Sequence, residues 1–447
     1  MKATQFSTNT YGHMSVSDVR PSTYMRGAHT AIFDKAQAYT GFLGFGVAIT
    51  GSSCYNLSKM DKKSRRALLE SIYGKDGLGL SVARLSVASS DYSAELYSYD
   101  DVPGDTALEH FSIERDEEYV IPIIKEILEI APDLKLFSSP WSPPGWMKTY
   151  NSMCGGYMRA EYIDCYADYY VKFLKEYEKR GIKIFALTPQ NEPETDQSGC
   201  MPACIWHPDI ESRFVLTLKQ KLIENGMDTK IWFYDHCFSG NERVDWCLDT
   251  YPDLVSACGG IAFHYYNGAI ENTVFLREKY PSLSLHFTEG GPRLYDNYDT
   301  DWCKWSIMMS KALNCGYSSF TGWNLMLDET GGPNIGPFFC GGLVTRKRES
   351  GELSYSGQYL AFEHFAKYIS PDPTIYPLSF TNNIPAMHTY PNAAKPVCGT
   401  LVKTGDGKYA AMLINPNTEK AQVQIDLGGN WWYIELMPDT AATVVFE

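Results

Sequence analysis

The sequence predicts a (β/α)8 TIM barrel that carries a small antiparallel β-sandwich. Three observations lead there. Eight short apolar or β-branched runs alternate with helical patterns up to about residue 370. Beyond that point the pattern changes to residue-by-residue alternation. Two of the eight runs are followed within three residues by a glutamate. Strands separated by helices imply right-handed crossovers and therefore a parallel sheet.

Taken in chain order, residues 1–35 are polar with scattered aromatics and are expected to lend strands to the sandwich. The barrel is expected over 36–370, with strands at 41–47, 82–87, 135–139, 184–189, 230–235, 261–265, 284–288 and 319–324. The helices between them are also readable. Residues 61–73 place Ala67, Leu68 and Ile72 on one face and stop at Gly74. Residues 160–180 place Ile163, Tyr166, Tyr170, Phe173, Leu174 and Tyr177 on one face and stop at Gly181. Residues 121–130 and 302–313 behave alike. Eight units in roughly 330 residues make a barrel with long loops, since ~250 is typical. A doubly wound open sheet is the competing architecture. It is disfavoured because no Gly-x-Gly-x-x-Gly leads from the first strand into a helix. Residues 371–447 alternate at Tyr409, Ala411, Leu413 and again at Val423, Ile425, Leu427. Gly405-Asp406-Gly407 and Asn415-Pro416-Asn417 mark the turns of the expected sandwich.

Composition limits the function. The formal net charge of −14 disfavours nucleic acid, whose affinity comes largely from lysine and arginine on phosphates. It also disfavours an anionic membrane surface. No apolar run reaches the roughly 18–20 residues of a span, so no integral membrane segment is expected. No signal peptide is visible, which makes the cytoplasm the expected location. The 12 cysteines are spread along a long chain and are expected to be free thiols. Cys200 and Cys204 form a C-x3-C pair with no second pair at ligand spacing, so no metal site is expected.

Working residues of such a barrel sit at the C-terminal ends of its strands. The fourth strand leads into Asn191-Glu192-Pro193 and the seventh into Glu289-Gly290. A pair of carboxylates on one barrel end is what glycoside hydrolysis requires. Other strand ends supply Asp91, Trp141, Trp146, Asp235, His236, His264, Tyr266, Trp323 and Asn324. Tryptophans stack on the C–H faces of sugars, while Asp91, Asn191 and His264 meet hydroxyls.

These segments resemble glycoside hydrolase family 30, in its glucosylceramidase-like branch. The resemblance rests on Gly44-Phe45-Gly46, on Arg84, on Ala88-Ser89-Ser90-Asp91-Tyr92-Ser93 and on Gln190-Asn191-Glu192-Pro193. It rests further on Ser139-Pro140-Trp141-Ser142-Pro143-Pro144-Gly145-Trp146-Met147-Lys148-Thr149, His264-Tyr265-Tyr266, Thr288-Glu289, Trp323-Asn324-Leu325 and Gly331-Gly332-Pro333-Asn334. The order is kept over about residues 40–370. The resemblance implies Glu192 as general acid/base and Glu289 as nucleophile. It implies Asp91, Trp141, Asn191, Tyr266 and Trp323 as the pocket for the terminal sugar, with His264 and Arg84 as positioning neighbours. Gly290-Gly291-Pro292-Arg293 departs from the animal-type members, which opens the question of the aglycone.

The expected substrate is a β-glucoside, glucosylceramide-like or soluble, with β-xylosides as near neighbours. The expected route is double displacement with no metal or organic cofactor. It needs Glu289 ionised and Glu192 protonated, the second being raised by burial and by its charged neighbour. An endo-acting β-1,6-glucanase or xylanase on the same barrel is the alternative within enzymes. A non-catalytic carbohydrate-binding protein is the alternative outside them. Loops 151–157 and 197–207 are where exo and endo action would be decided.

Overall fold

In the computed structural model, which describes residues 2–369, 373–381 and 395–447, the chain forms two compact units. One comprises 45–295 and 319–354. The other comprises 1–44, 296–318 and 355–447.

The first unit is built on a closed barrel of eight parallel strands. These are β1 (Gly44–Ile49), β2 (Val82–Val87), β3 (Lys135–Pro140), β4 (Ile184–Leu187), β5 (Lys230–Cys237), β6 (Gly260–His264), β7 (Ser284–Glu289) and β8 (Ser319–Gly322). They neighbour one another in chain order around the ring. All eight expected strands are present, within three residues at either end. The strands are largely buried on both faces because helices cover the outside and side chains fill the inside. Every residue of β1, β6 and β8 is buried. Gly46 permits the close approach of β1 to β2, since a Cβ there would sit 2.1 Å from the Val82 carbonyl oxygen.

The helix Lys62–Tyr73 starts where the Asp61 side chain accepts from the Lys63 and Ser64 amides. It buries Leu68, Leu69 and Ile72. The helix Ile163–Lys179, led in by a 3-10 turn at Ala160–Tyr162, buries the expected tyrosine and phenylalanine face. No helix among the described residues is long and apolar enough to cross a membrane.

The second unit holds the sandwich. One sheet runs Thr374–Pro377, Cys398–Lys403, Tyr409–Asn415, Thr440–Phe446, Ala3–Asn9, Gly12–Val19. The other runs Ser379–Phe380, His29–Ile32, Ala421–Asp426, Trp431–Leu436, Pro21–Ser22. Pairing is antiparallel except between Ala421–Asp426 and His29–Ile32, which are parallel. Ala411, Leu413, Val423, Ile425 and Leu427 face one shared core with Leu401, Ile434 and Val444. The N-terminal segment contributes four strands to it.

Residues 36–44, 296–318 and 355–369, read as part of the barrel domain over 36–370, group with the sandwich. The reason is visible in the helix Trp302–Asn314. Its Ser310 and Asn314 hydrogen-bond Thr400 and the Gly399 carbonyl of a sandwich strand, at 2.8 and 2.9 Å. The boundary expected at 370/371 lies outside the described residues.

Candidate active site

The C-terminal ends of the barrel strands converge on a buried charged network. Arg84, fully buried on β2, is its centre. Its guanidinium donates to Asn191 Oδ1 at 2.8 Å, Asp235 Oδ2 at 2.7 Å and Ser139 Oγ at 3.2 Å, and also to Glu289 Oε2. Five donors in a planar fork suit arginine to this role, and lysine would not replace it. The guanidinium also lies 4.8 Å from the centre of the Trp141 ring, whose indole stacks on Trp323 at 5.1 Å.

Asp235 lies near the C-terminal end of β5 and accepts five hydrogen bonds, from Arg84, His264 Nε2 (3.0 Å), Thr288 Oγ1 (2.7 Å), Ser139 Oγ (2.8 Å) and Thr188 Oγ1 (2.7 Å). Burial opposes its charge, but the Arg84 cation and these donors hold the carboxyl far below the usual range. Asp235 stood in the strand-end inventory without a role, and its place as the counter-ion was missed. Only the three-dimensional convergence of β2, β3, β4, β6 and β7 shows it.

His264 bridges the carboxylates. Nε2 faces Asp235 and Nδ1 lies 3.1 Å from Glu192 Oε1 and 3.8 Å from Glu289 Oε2. Burial lowers its pKa, yet Glu289, Asp235 and Glu192 outweigh that and raise it to about 9. It is an imidazolium at neutral pH. Glu289 accepts from Tyr266 Oη at 2.9 Å as well as from Arg84.

For Glu192 the electrostatics differ from the expectation. Burial does push its pKa up. The hydrogen bond from His264 and the charges of His236, His264 and Arg84 outweigh it and hold the carboxyl below its ordinary value. The proton expected on Glu192 rests on its neighbour His264 instead. Gln197 Nε2 also donates to Glu192 Oε2 at 2.7 Å.

Glu192, His264 and Glu289 each place an atom within 4.8 Å of the others. Two carboxylates and an imidazole are a donor set that metals use. An imidazolium, however, has no lone pair to give.

Above this network lies a pocket of about 220 Å³. Asp91, Trp141, Asn191, Glu192, Tyr266, Glu289 and Trp323 line it, which is seven of the nine residues singled out from sequence. Arg84 and His264 lie beneath, touching the lining. Asp91 is buried with its Oδ1 lacking a hydrogen-bond partner among the described residues. Burial, then Glu289 and Glu192, raise its pKa well above the carboxylate range. Met201, Gln197, His236, Cys237, Phe338, Cys340 and Arg293 complete the wall and were not assigned a role in the site from sequence. Gln197 and Met201 arrive on the loop 197–207, which Lys148 ties down by donating to Ser142 Oγ, the Met153 carbonyl and the Ala203 carbonyl at 2.8, 2.7 and 2.6 Å.

The backbone is strained where the chemistry sits. Glu192, Tyr234, Asp235 and Asn324 adopt φ of 55°, 80°, 67° and 65°. Non-glycine residues rarely accept that region, and such outliers cluster at functional sites.

Comparison with known proteins agrees with this geometry. A putative glucosylceramidase 4 of Caenorhabditis elegans is 28% identical over 404 residues, covering 83% of this chain and 76% of that protein. An endo-1,6-β-D-glucanase of Neurospora crassa is 30% identical over 344 residues, covering 73% and 70%. Among solved structures, SrfJ from Salmonella typhimurium superposes with a TM-score of 0.90 at 26% identity, over 100% of both chains. The endo-β1,6-glucanase BT3312 superposes with a TM-score of 0.86 at 26% identity, over 100% of this chain and 99% of that one. Residues 42–369 match the Glycosyl hydrolase family 30 TIM-barrel domain, and the chain belongs to that family of glycoside hydrolases.

Proposed function

We propose that the protein is a retaining β-glycoside hydrolase acting on β-glucosidic bonds, with Glu289 as nucleophile and Glu192 as general acid/base. One observation carries the reading. Oxygens of the two carboxylates lie within 4.8 Å of each other. Retaining enzymes keep their carboxyl groups about 5–5.5 Å apart, whereas inverting ones need about 6.5–9.5 Å to seat a water.

In the first step Glu289 attacks the anomeric carbon, the bond to the leaving oxygen breaks, and that oxygen takes a proton from Glu192. In the second, Glu192 removes a proton from water, which attacks the same carbon and releases Glu289. Tyr266 and Arg84 both donate to Glu289, which suits a carboxylate that must stay ready to attack. Glu192 and His264 hold the needed proton as a pair. It sits on the imidazole in the free site. A sugar filling the pocket removes water, penalises the Glu192 carboxylate further and draws the proton across 3.1 Å. Because Asn191 Oδ1 is taken by Arg84, its amide NH2 is left to donate to a sugar hydroxyl. A second hydroxyl supplies the partner that Asp91 Oδ1 lacks.

The small pocket favours a single terminal pyranose, as in a glucosylceramide-like or soluble β-glucoside. Xylose lacks only the hydroxymethyl, a difference worth ~1–3 kcal/mol, so β-xylosides are expected as weaker substrates. An endo-acting β-1,6-glucanase is the second reading, supported by the likeness to BT3312 over the full chain. NMR of the first-formed sugar from a nitrophenyl β-glucoside tests the mechanism. The β-anomer is expected, and the α-anomer would remove Glu289 from its role. A panel of β-glucoside, β-xyloside, β-fucoside and β-galactoside, run beside β-1,6-glucan, tests the substrate. Absence of all turnover would favour a carbohydrate-binding protein.

A further inference from the structure

Among the described residues Arg293 is the one lysine or arginine in the pocket lining. It follows the nucleophile by four residues and is half-buried. The other buried or half-buried arginines near this end of the barrel have carboxylate partners: Arg84 has Asp235 and Glu289, and Arg243 has Glu211. Arg293 has none. Among the described residues no carboxylate, hydroxyl or carbonyl accepts a hydrogen bond from its guanidinium. Three aromatic rings hold it instead, with centroids at 5.3 Å (Tyr266), 5.7 Å (Phe338) and 6.0 Å (Tyr295). Ring faces fix such a cation without using its N–H donors. A partly desolvated guanidinium with free donors is unfavourable unless something arrives to pair with it.

The exposure gradient says what arrives. Trp141, Trp323 and Asp91 form the floor, at 2%, 2% and 4% exposure, where the terminal sugar is held. Tyr295, whose ring packs on Arg293, is 69% exposed, and Phe339, next to the lining residue Phe338, is 61% exposed. Arg293 stands between, so the group passing it is the one attached to the scissile oxygen. The bidentate geometry of a guanidinium matches a carboxylate.

We infer that Arg293 is a specificity-determining residue that pairs with a carboxylate on the leaving group, so that the preferred glycosides carry an acidic aglycone or an acidic second sugar. The inference rests on the proposed glycosidase reading of the same pocket.

The test is a double ratio, in which differences in leaving-group ability cancel. The values of kcat/KM are measured for 4-carboxyphenyl β-glucoside and its methyl ester, with wild type and with Arg293→Gln. The same pair of measurements is made on a β-glucosyl disaccharide ending in glucuronate and on its methyl ester. The wild type should favour at least one acid over its ester by about tenfold more than Arg293→Gln does. That preference should shrink with added salt, and Arg293→Lys should keep part of it. A preference in the aryl pair alone points to an aromatic acid, and one in the disaccharide pair to an acidic sugar. An unchanged ratio in both pairs, with acid and ester slowed alike, would overturn the inference and leave the glycosidase reading standing. Arg293 would then act through Tyr266 on the nucleophile. No turnover of any glycoside by the wild type would overturn both.

Discussion

The barrel mouth and the sandwich each bury a histidine completely, and the two titrate in opposite directions. His264 lies between Asp235 and Glu192 and is raised to about 9. His364, in the helix Gly357–Phe365, lies between the hydroxyls of Thr8 and Thr443, at 2.8 and 3.2 Å, and is lowered to about 3. Desolvation acts downward on both. The partners decide the sign: carboxylates recruit a proton, hydroxyls satisfy a neutral ring. The mouth therefore stores charge, whereas the sandwich excludes it, and the two regions should fail differently when perturbed.

The largest contrast is in activity. Glu289→Ala should lower kcat/KM by on the order of 10⁴-fold on every glycoside. Glu192→Ala should do so on alkyl glycosides but largely spare nitrophenyl ones, which leave without a proton. Equal losses on nitrophenyl substrates would break the assignment of roles.

In stability, Asp235→Asn should cost about 3–5 kcal/mol in denaturant unfolding, because it strands Arg84 and His264 in a buried site. Leu413→Ala in the sandwich core should cost about 2–5 kcal/mol by leaving a cavity, with unchanged turnover per folded molecule. Thr443→Val removes one neutral partner of His364 and should cost about 1–3 kcal/mol. A Thr443→Val loss matching that of Asp235→Asn would erase the distinction between the regions.

The smallest effects are in pH. A raised folded pKa makes the His264 contribution complete below 6.5 and lost as pH rises through about 9. A lowered one makes the His364 contribution complete above 6.5 and lost as pH falls toward about 3. Chemical denaturation across pH should show His264→Gln flattening the alkaline side and His364→Gln the acid side. Turnover should also fall near pH 9, when the Glu192–His264 pair gives up its proton. A His264→Gln variant that keeps that alkaline limb would show the proton to be held elsewhere.

Much of the fold was legible because strand and helix periods are local. Runs such as Ile184–Leu187 and Ser284–Glu289 announce themselves; the second ends in Glu289, and the first is followed five residues later by Glu192. What periodicity reports is that a helix exists, not where it packs. The helix Trp302–Asn314 has the right amphipathic face, yet Ser310 and Asn314 seek a sandwich strand some 90 residues later in the chain. The floor of the site was hidden for a similar reason. Asp235 is one of 53 acidic residues, and nothing near it in sequence announces that five donors from other strands converge on it. The proton on His264 rather than Glu192 was illegible too, since it depends on distances between side chains 72 positions apart.

The strand Ala3–Asn9 is hydrogen-bonded to Thr440–Phe446, with Ala3 opposite Phe446. A ribosome adding ~5–20 residues per second needs on the order of a minute to travel from one to the other. Through that interval the edge of the early strand that Thr440–Phe446 will cover stands open. A nascent chain therefore has to keep that edge from other partners until Thr440–Phe446 is made, with Gly12–Val19 guarding only the opposite edge.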